Sequence, residues 1–109
     1  RVLFRSHGSC GVYVWVPANN ATSHNVEYRI WAYVGQDWNR EISADRLDQG
    51  AHSNEWVYLR SVSLNATEYP AVTIADMWTG EPLGTQWIAA DAVKFRCYKA
   101  YILPVASPP

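Results

Sequence analysis

Three histidines in this chain each stand beside a serine: His7 follows Ser6, His24 follows Ser23, and His52 precedes Ser53. Nucleophilic catalysis needs a hydroxyl or thiol, a base within hydrogen-bond reach, and an acid that orients the base. Adjacency in sequence supplies none of that geometry, and no serine lies in a Gly-x-Ser-x-Gly turn. The histidines lack zinc-ligand spacing, and the two cysteines do not form a Cys-x-x-Cys pair. There is no glycine-rich phosphate loop. The reading is a non-catalytic chain with no cofactor and no metal-ligand set in its sequence, calcium being left open.

The chemistry that the composition favours is stacking. Six Trp and seven Tyr stand against two Phe, and Trp and Tyr suit half-exposed faces because one end of each ring system is polar. Trp31 and Tyr33 share one face of an alternating segment with Glu27 and Arg29. Two rings on a wet strand face make a platform on which the C–H face of a sugar can lie, with polar neighbours taking its hydroxyls. The competing reading is that another layer or partner covers this face. Trp38, with Asp37 beside it, and Trp78, next to a glycine-rich turn, lie in polar loops that suit the same role. Each could equally fold onto the core edge, as could Trp87. The candidate ligand-binding residues are therefore Arg29, Trp31, Tyr33, Asp37, Trp38 and Trp78. Trp15 and Trp56 lie in apolar strands and are assigned to the core.

These residues need sheets to position them, and the dominant period of the chain is two. Val26, Tyr28, Ile30, Ala32 and Val34 alternate with the polar set, the pattern of a strand with one buried and one wet face. Gly11 to Val16 is apolar on both faces and ends at Pro17. Further strands are expected at Val2–Phe4 (a short edge strand), Glu41–Leu47, Glu55–Leu64, Ala71–Asp76 and Trp87–Cys97. The alternation in Glu55–Leu64 slips between Leu59 and Val62, as a bulge would make it. Turn-rich pieces separate the strands, and no convincing helical period appears. The expected fold is an antiparallel all-β sandwich, jelly-roll-like, of about seven or eight strands with the first and last close together.

At 109 residues the chain fits one domain. We expect a sandwich over 1–98 and an extended tail over 99–109. The net charge of −1 comes without clustering of either sign, which argues against nucleic-acid partners and a polybasic membrane anchor. No apolar run is long enough to span a bilayer. Cys10 and Cys97 lie near opposite ends of the sandwich and would staple it if the chain is secreted; two buried thiols are the alternative. Asn20-Ala21-Thr22 and Asn65-Ala66-Thr67 fit the glycosylation triplet, which also arises often by chance.

Read in order, Gly11-Val12-Tyr13-Val14-Trp15-Val16-Pro17, Asn19-Asn20-Ala21-Thr22, Val26-Glu27-Tyr28-Arg29-Ile30, Asp48-Gln49, Trp56-Val57-Tyr58-Leu59 and Ala90-Asp91-Ala92-Val93-Lys94-Phe95 form an ordered set. The set resembles the golvesin C-terminal-like domain, also described as the carbohydrate-binding-like domain of bacterial xanthan lyases. The resemblance spans about Gly11 to Phe95 and implies a β-sandwich accessory module on secreted hydrolases, lyases and peptidases. The implied role is attachment to a polysaccharide or cell-envelope glycan. The alternative is a structural module that packs on a parent or partner domain. The chain departs from the family at Arg60, where glycine is usual, and in a shorter segment before Gly11. Within the set, Asn20, Asp48, Gln49 and Asp91 are expected to pin loop backbone against the sandwich. Asp91 is placed on the apolar face of its strand, where a carboxylate must be hydrogen-bonded or paired.

Overall fold

A computed structural model describes residues 3–35, 38–65, 67–75, 80–82 and 84–102, with backbone only for 3–7, 38, 75 and 99–102. Six strands follow in chain order: β1 (Leu3–Val16), β2 (Val26–Val34), β3 (Trp38–Leu47), β4 (Glu55–Leu64), β5 (Tyr69–Ala75) and β6 (Val93–Ile102). They form two antiparallel three-stranded sheets, ordered β4-β1-β6 and β3-β2-β5. The all-β sandwich is as expected, but the described residues hold six strands, not seven or eight. A full jelly roll has eight. Leu3 and Phe4 of the expected short edge strand Val2–Phe4 open the long central β1 instead, and Val2 lies outside the described residues. The segment before Val93 is not a strand either, so Ala89 and Asp91 do not continue the alternation of β6. β6 itself runs to Ile102, so the tail boundary at 98 falls inside it.

The alternation read in the sequence places the core. Cys10, Val12, Val14 and Val16 of β1 face Val26, Tyr28, Ile30 and Ala32 of β2, and all are almost completely buried. Val62 and Leu64 of β4 complete the same core. Full burial of an aliphatic side chain contributes about 1.5–3 kcal/mol, so these central rows drive closure of the two sheets. The bulge expected between Leu59 and Val62 lies at Leu59: Val12 pairs Arg60, whereas Tyr13 pairs Tyr58. A second bulge sets Ile30 against Ser43 and Trp31 against Glu41.

Arg60 explains its own departure from glycine. Its guanidinium grips Asp45 of β3 through two bonds, Nε to Oδ2 and Nη2 to Oδ1, both 2.8 Å. The pair ties one sheet to the other along the β3/β4 edge. Cys10 and Cys97 stand opposite each other in the β1/β6 ladder and are disulfide-bonded.

The loops at one end are fixed by buried polar side chains. Gln49 is fully buried in a short 3-10 turn over Gln49–Ala51. Its Nε2 donates to Tyr28 Oη at 2.6 Å and to the Ala89 carbonyl at 2.9 Å, while its Oε1 accepts from the Ala89 amide at 3.0 Å. One side chain thus replaces the sheet partner that the backbone of Ala89 lacks. Asp48 caps the same turn through Ala51 N and meets His24 Nδ1 at 2.6 Å. Thr22, Ser23 and Trp87 link β1–β2 to the segment before β6 through backbone and hydroxyl bonds. Asn20 takes a left-handed φ of 63° in the β1–β2 connection, a conformation that asparagine tolerates better than most residues. Asp91 is exposed, because the chain there is a loop and not a strand face.

Candidate functional site

The wet face of β3-β2-β5 carries the predicted platform. Arg29, Trp31 and Tyr33 lie on it in successive rows, because side chains two apart along β2 point the same way. The ladder to β5 adds Thr73 opposite Arg29 and Tyr69 opposite Tyr33. Trp31 Nε1 donates to Thr73 Oγ1 at 2.9 Å, which pins the indole across β2 and β5. The Trp31 and Tyr33 ring centroids are 6.5 Å apart. Tyr33 and Tyr69 are 5.8 Å apart and inclined by only 20°, a stacked pair. Tyr69 is half exposed and holds its hydroxyl on the Gly35 carbonyl. The result is a shelf of Trp31, Tyr33 and Tyr69 with fixed rings.

Charge borders the shelf. Arg29 Nε bonds Glu27 Oε1 at 2.6 Å and lies 3.9 Å from Glu41 Oε1, and Arg46 also reaches Glu27 at 2.9 Å. The hydrogen bond from Arg29 holds the Glu27 carboxyl below its ordinary range, with both guanidiniums adding attraction. Arg29 therefore stands beside Trp31 already paired, with part of its donor fork still open to solvent.

Other predicted site residues fall elsewhere. Trp38 pairs with Val34, one position out of phase with the Asn39–Tyr33 row, so its backbone is not in line with the shelf. Asp37 and Trp78 lie outside the described residues. Tyr69 was missed in the sequence because its strand opens with Tyr-Pro and shows little alternation; only the register brings it beside Tyr33.

The larger correction concerns Trp15 and Trp56. Both lie on the outer face of β4-β1-β6, and Trp56 is 39% exposed. β1 is apolar on both faces because the outward one carries aromatics rather than polar groups. Trp15 and Trp56 meet edge to face at 5.4 Å, and the Tyr13 and Tyr58 rings, tilted by 56°, lie 5.3 Å apart. The signal that could have found them is the pairing of aromatics in strands expected to neighbour each other.

Among the described side chains, the His–Ser neighbours at 23–24 and 52–53 bond other partners. Ser23 is buried and donates its hydroxyl to Glu81, His24 bonds Asp48, and His52 bonds Glu55 at 2.6 Å. A cleft of about 330 Å³ opens between Val14 and Trp15 of β1, Ile74 of β5 and the 89–93 segment, with Asp91 at its margin. Among the described residues, no group of three or more His, Cys, Asp or Glu could hold a metal ion. No helix among them is long and apolar enough to cross a membrane.

A family model for the Golvesin C-terminal domain matches residues 2–97, and the chain belongs to that family. The family is one of non-catalytic accessory domains of larger proteins. Neither the curated proteins nor the solved structures contain a match.

Proposed function

We propose that this domain is a carbohydrate-binding accessory module of a secreted enzyme and performs no catalysis itself. The observation that carries the proposal is the Trp31–Tyr33–Tyr69 shelf, whose rings are held in place before any ligand arrives. Preorganised rings lose little freedom on binding, which favours a weak, shallow contact such as a sugar face. Arg29, Thr73 and Asn39 border the rings and offer donors and acceptors to hydroxyls. Attachment to a catalytic domain raises the effective concentration of substrate, so modest affinity suffices. The disulfide fits an oxidising, extracellular setting.

The test is retention on insoluble neutral polysaccharides and a glycan array, with Trp fluorescence recorded in parallel. The expected result is specific retention by the wild type and a loss of about tenfold or more in Trp31→Ala and Tyr69→Ala. Wild-type retention in both variants removes the shelf. No retention by a folded wild type removes sugar binding and leaves a module that packs on its parent or partner domain.

A further inference from the structure

The opposite sheet carries a second aromatic surface, and it differs from the first in charge. On the outer face of β4-β1-β6, Lys94 of β6 stands opposite Tyr13, and its side chain crosses β1. The ammonium lies 4.9 Å from the Tyr13 ring centroid and 4.6 Å from that of Trp56. Two ring faces hold it by cation–π attraction. Neutral rings fix the position of the charge without cancelling it, and the ammonium keeps N–H donors for another partner. Arg96 follows on the same face, two positions along β6 and opposite Gly11.

Gly11 lets the rings lie down on the sheet. A Cβ there would lie 3.2 Å from Tyr13 Cε1 and 3.7 Å from Tyr58 Cε1. Without it, the Tyr13 and Tyr58 rings close over the backbone of β1, with Arg96 beside them on β6. Ser61 stands across Gly11 on β4, with its hydroxyl 2.8 Å from the Tyr58 hydroxyl. Tyr58 is 53% exposed and Tyr98, next along β6, is 64% exposed. Among the described residues, the outward positions from Ser9 to Trp15 and their ladder partners hold these two cations and no carboxylate. The first shelf, by contrast, has its cations paired with Glu27 and Glu41.

We propose that this face is a second ligand site, specific for a polysaccharide that bears carboxylates, such as a polyuronate. The carboxylate meets Lys94 and Arg96 at the margin of the Tyr13 ring, and the adjoining sugar face rests on Tyr58. One cation held by two rings, with a second on the same face, suits a carboxylate, while the rings and the Tyr58–Ser61 hydroxyl pair suit the sugar to which it is joined. The site is independent of the Trp31 shelf, since it lies on the other sheet.

The experiment uses polygalacturonate and its fully methyl-esterified form as probes, in affinity electrophoresis and titration calorimetry with the intact domain. Polygalacturonate is expected to bind, with affinity falling as salt rises, and the ester to bind at least about tenfold more weakly. Arg96→Gln and Lys94→Gln each lower the affinity about tenfold, the scale of one hydrogen bond to a charged group. Trp31→Ala leaves it unchanged. Arg96→Gln removes no ring contact and serves if Lys94→Gln fails to fold. Equal binding of the ester, wild-type affinity in Arg96→Gln, or equal binding of single-stranded poly-dT would each overturn the proposal. Because the probes are acidic, failure of the neutral-sugar reading at Trp31 is separately visible.

Discussion

Replacing Gln49 with leucine removes three hydrogen bonds and little volume. The Tyr28 hydroxyl, the Ala89 carbonyl and the Ala89 amide each lose their partner. Each orphaned group in a dry site costs about 1–3 kcal/mol. Tyr28 is 1% exposed, so water does not reach its hydroxyl. Ala89 is half-buried, and partial hydration reduces its share. The sum is about 2–5 kcal/mol, a large part of the roughly 5–15 kcal/mol that stabilises a domain. The melting temperature should fall by about 10–20 °C. Tyr28→Phe removes the hydroxyl alone, keeps both Ala89 bonds, and should cost about 1 kcal/mol. In the double variant the orphaned phenol no longer exists, so the combined cost should be less than the sum by about 0.5–1.5 kcal/mol. Urea unfolding followed by Trp fluorescence measures all four proteins. A loss under about 0.5 kcal/mol in Gln49→Leu, or strict additivity in the double variant, would refute the role given to this amide.

Cys10→Ala with Cys97→Ala opens a loop of sequence separation 87. The chain-entropy argument gives about 4–5 kcal/mol, readable as a drop in melting temperature that a reductant reproduces in the wild type. Arg60→Gly removes both bonds to Asp45 and should lower the melting temperature modestly. It releases Asp45, which is 17% exposed, but Arg60 is itself half exposed, and its ion pair is discounted accordingly; a neutral result in thermal unfolding would contradict the edge clamp.

Acid should destabilise the domain. Bonds from Arg40 and then the Asn65 amide hold Glu68 below its ordinary 4.5, and Arg29 does the same for Glu27. A depressed carboxyl contributes stability above its unfolded value and loses it as pH falls through the folded one. Unfolding free energy should therefore decline below about pH 4.5, less so in Glu68→Gln. Base should act through Tyr28, whose phenol is raised above 10.0 by burial, against the opposing bond from Gln49. A raised phenol keeps its contribution below the unfolded value and loses it as pH climbs through the folded one. Wild type should weaken above about pH 10 more than Tyr28→Phe does; equal alkaline curves would contradict this.

The sequence by itself determined which side chains of β2 face inward, because a period of two leaves a strand only two faces. It also placed a bulge between Leu59 and Val62, and it gave the family and the placement of Trp31 and Tyr33 on one surface. These are local properties, set within a few residues by backbone geometry. The register between strands was decided only in three dimensions. That register put Tyr69 beside Tyr33 and Lys94 above Tyr13 and Trp56. It also turned Trp15 and Trp56 outward, although apolar composition alone assigned them to the core. Hydrophobicity says that a residue can be buried; it does not say which of two apolar strand faces the second sheet covers. Asp91 shows the same limit from the other side. Its alternation with Val93 fits a strand, but Gln49, 40 positions from Ala89, supplies the bonds that a sheet partner would have made. The chain there therefore has no need to be a strand.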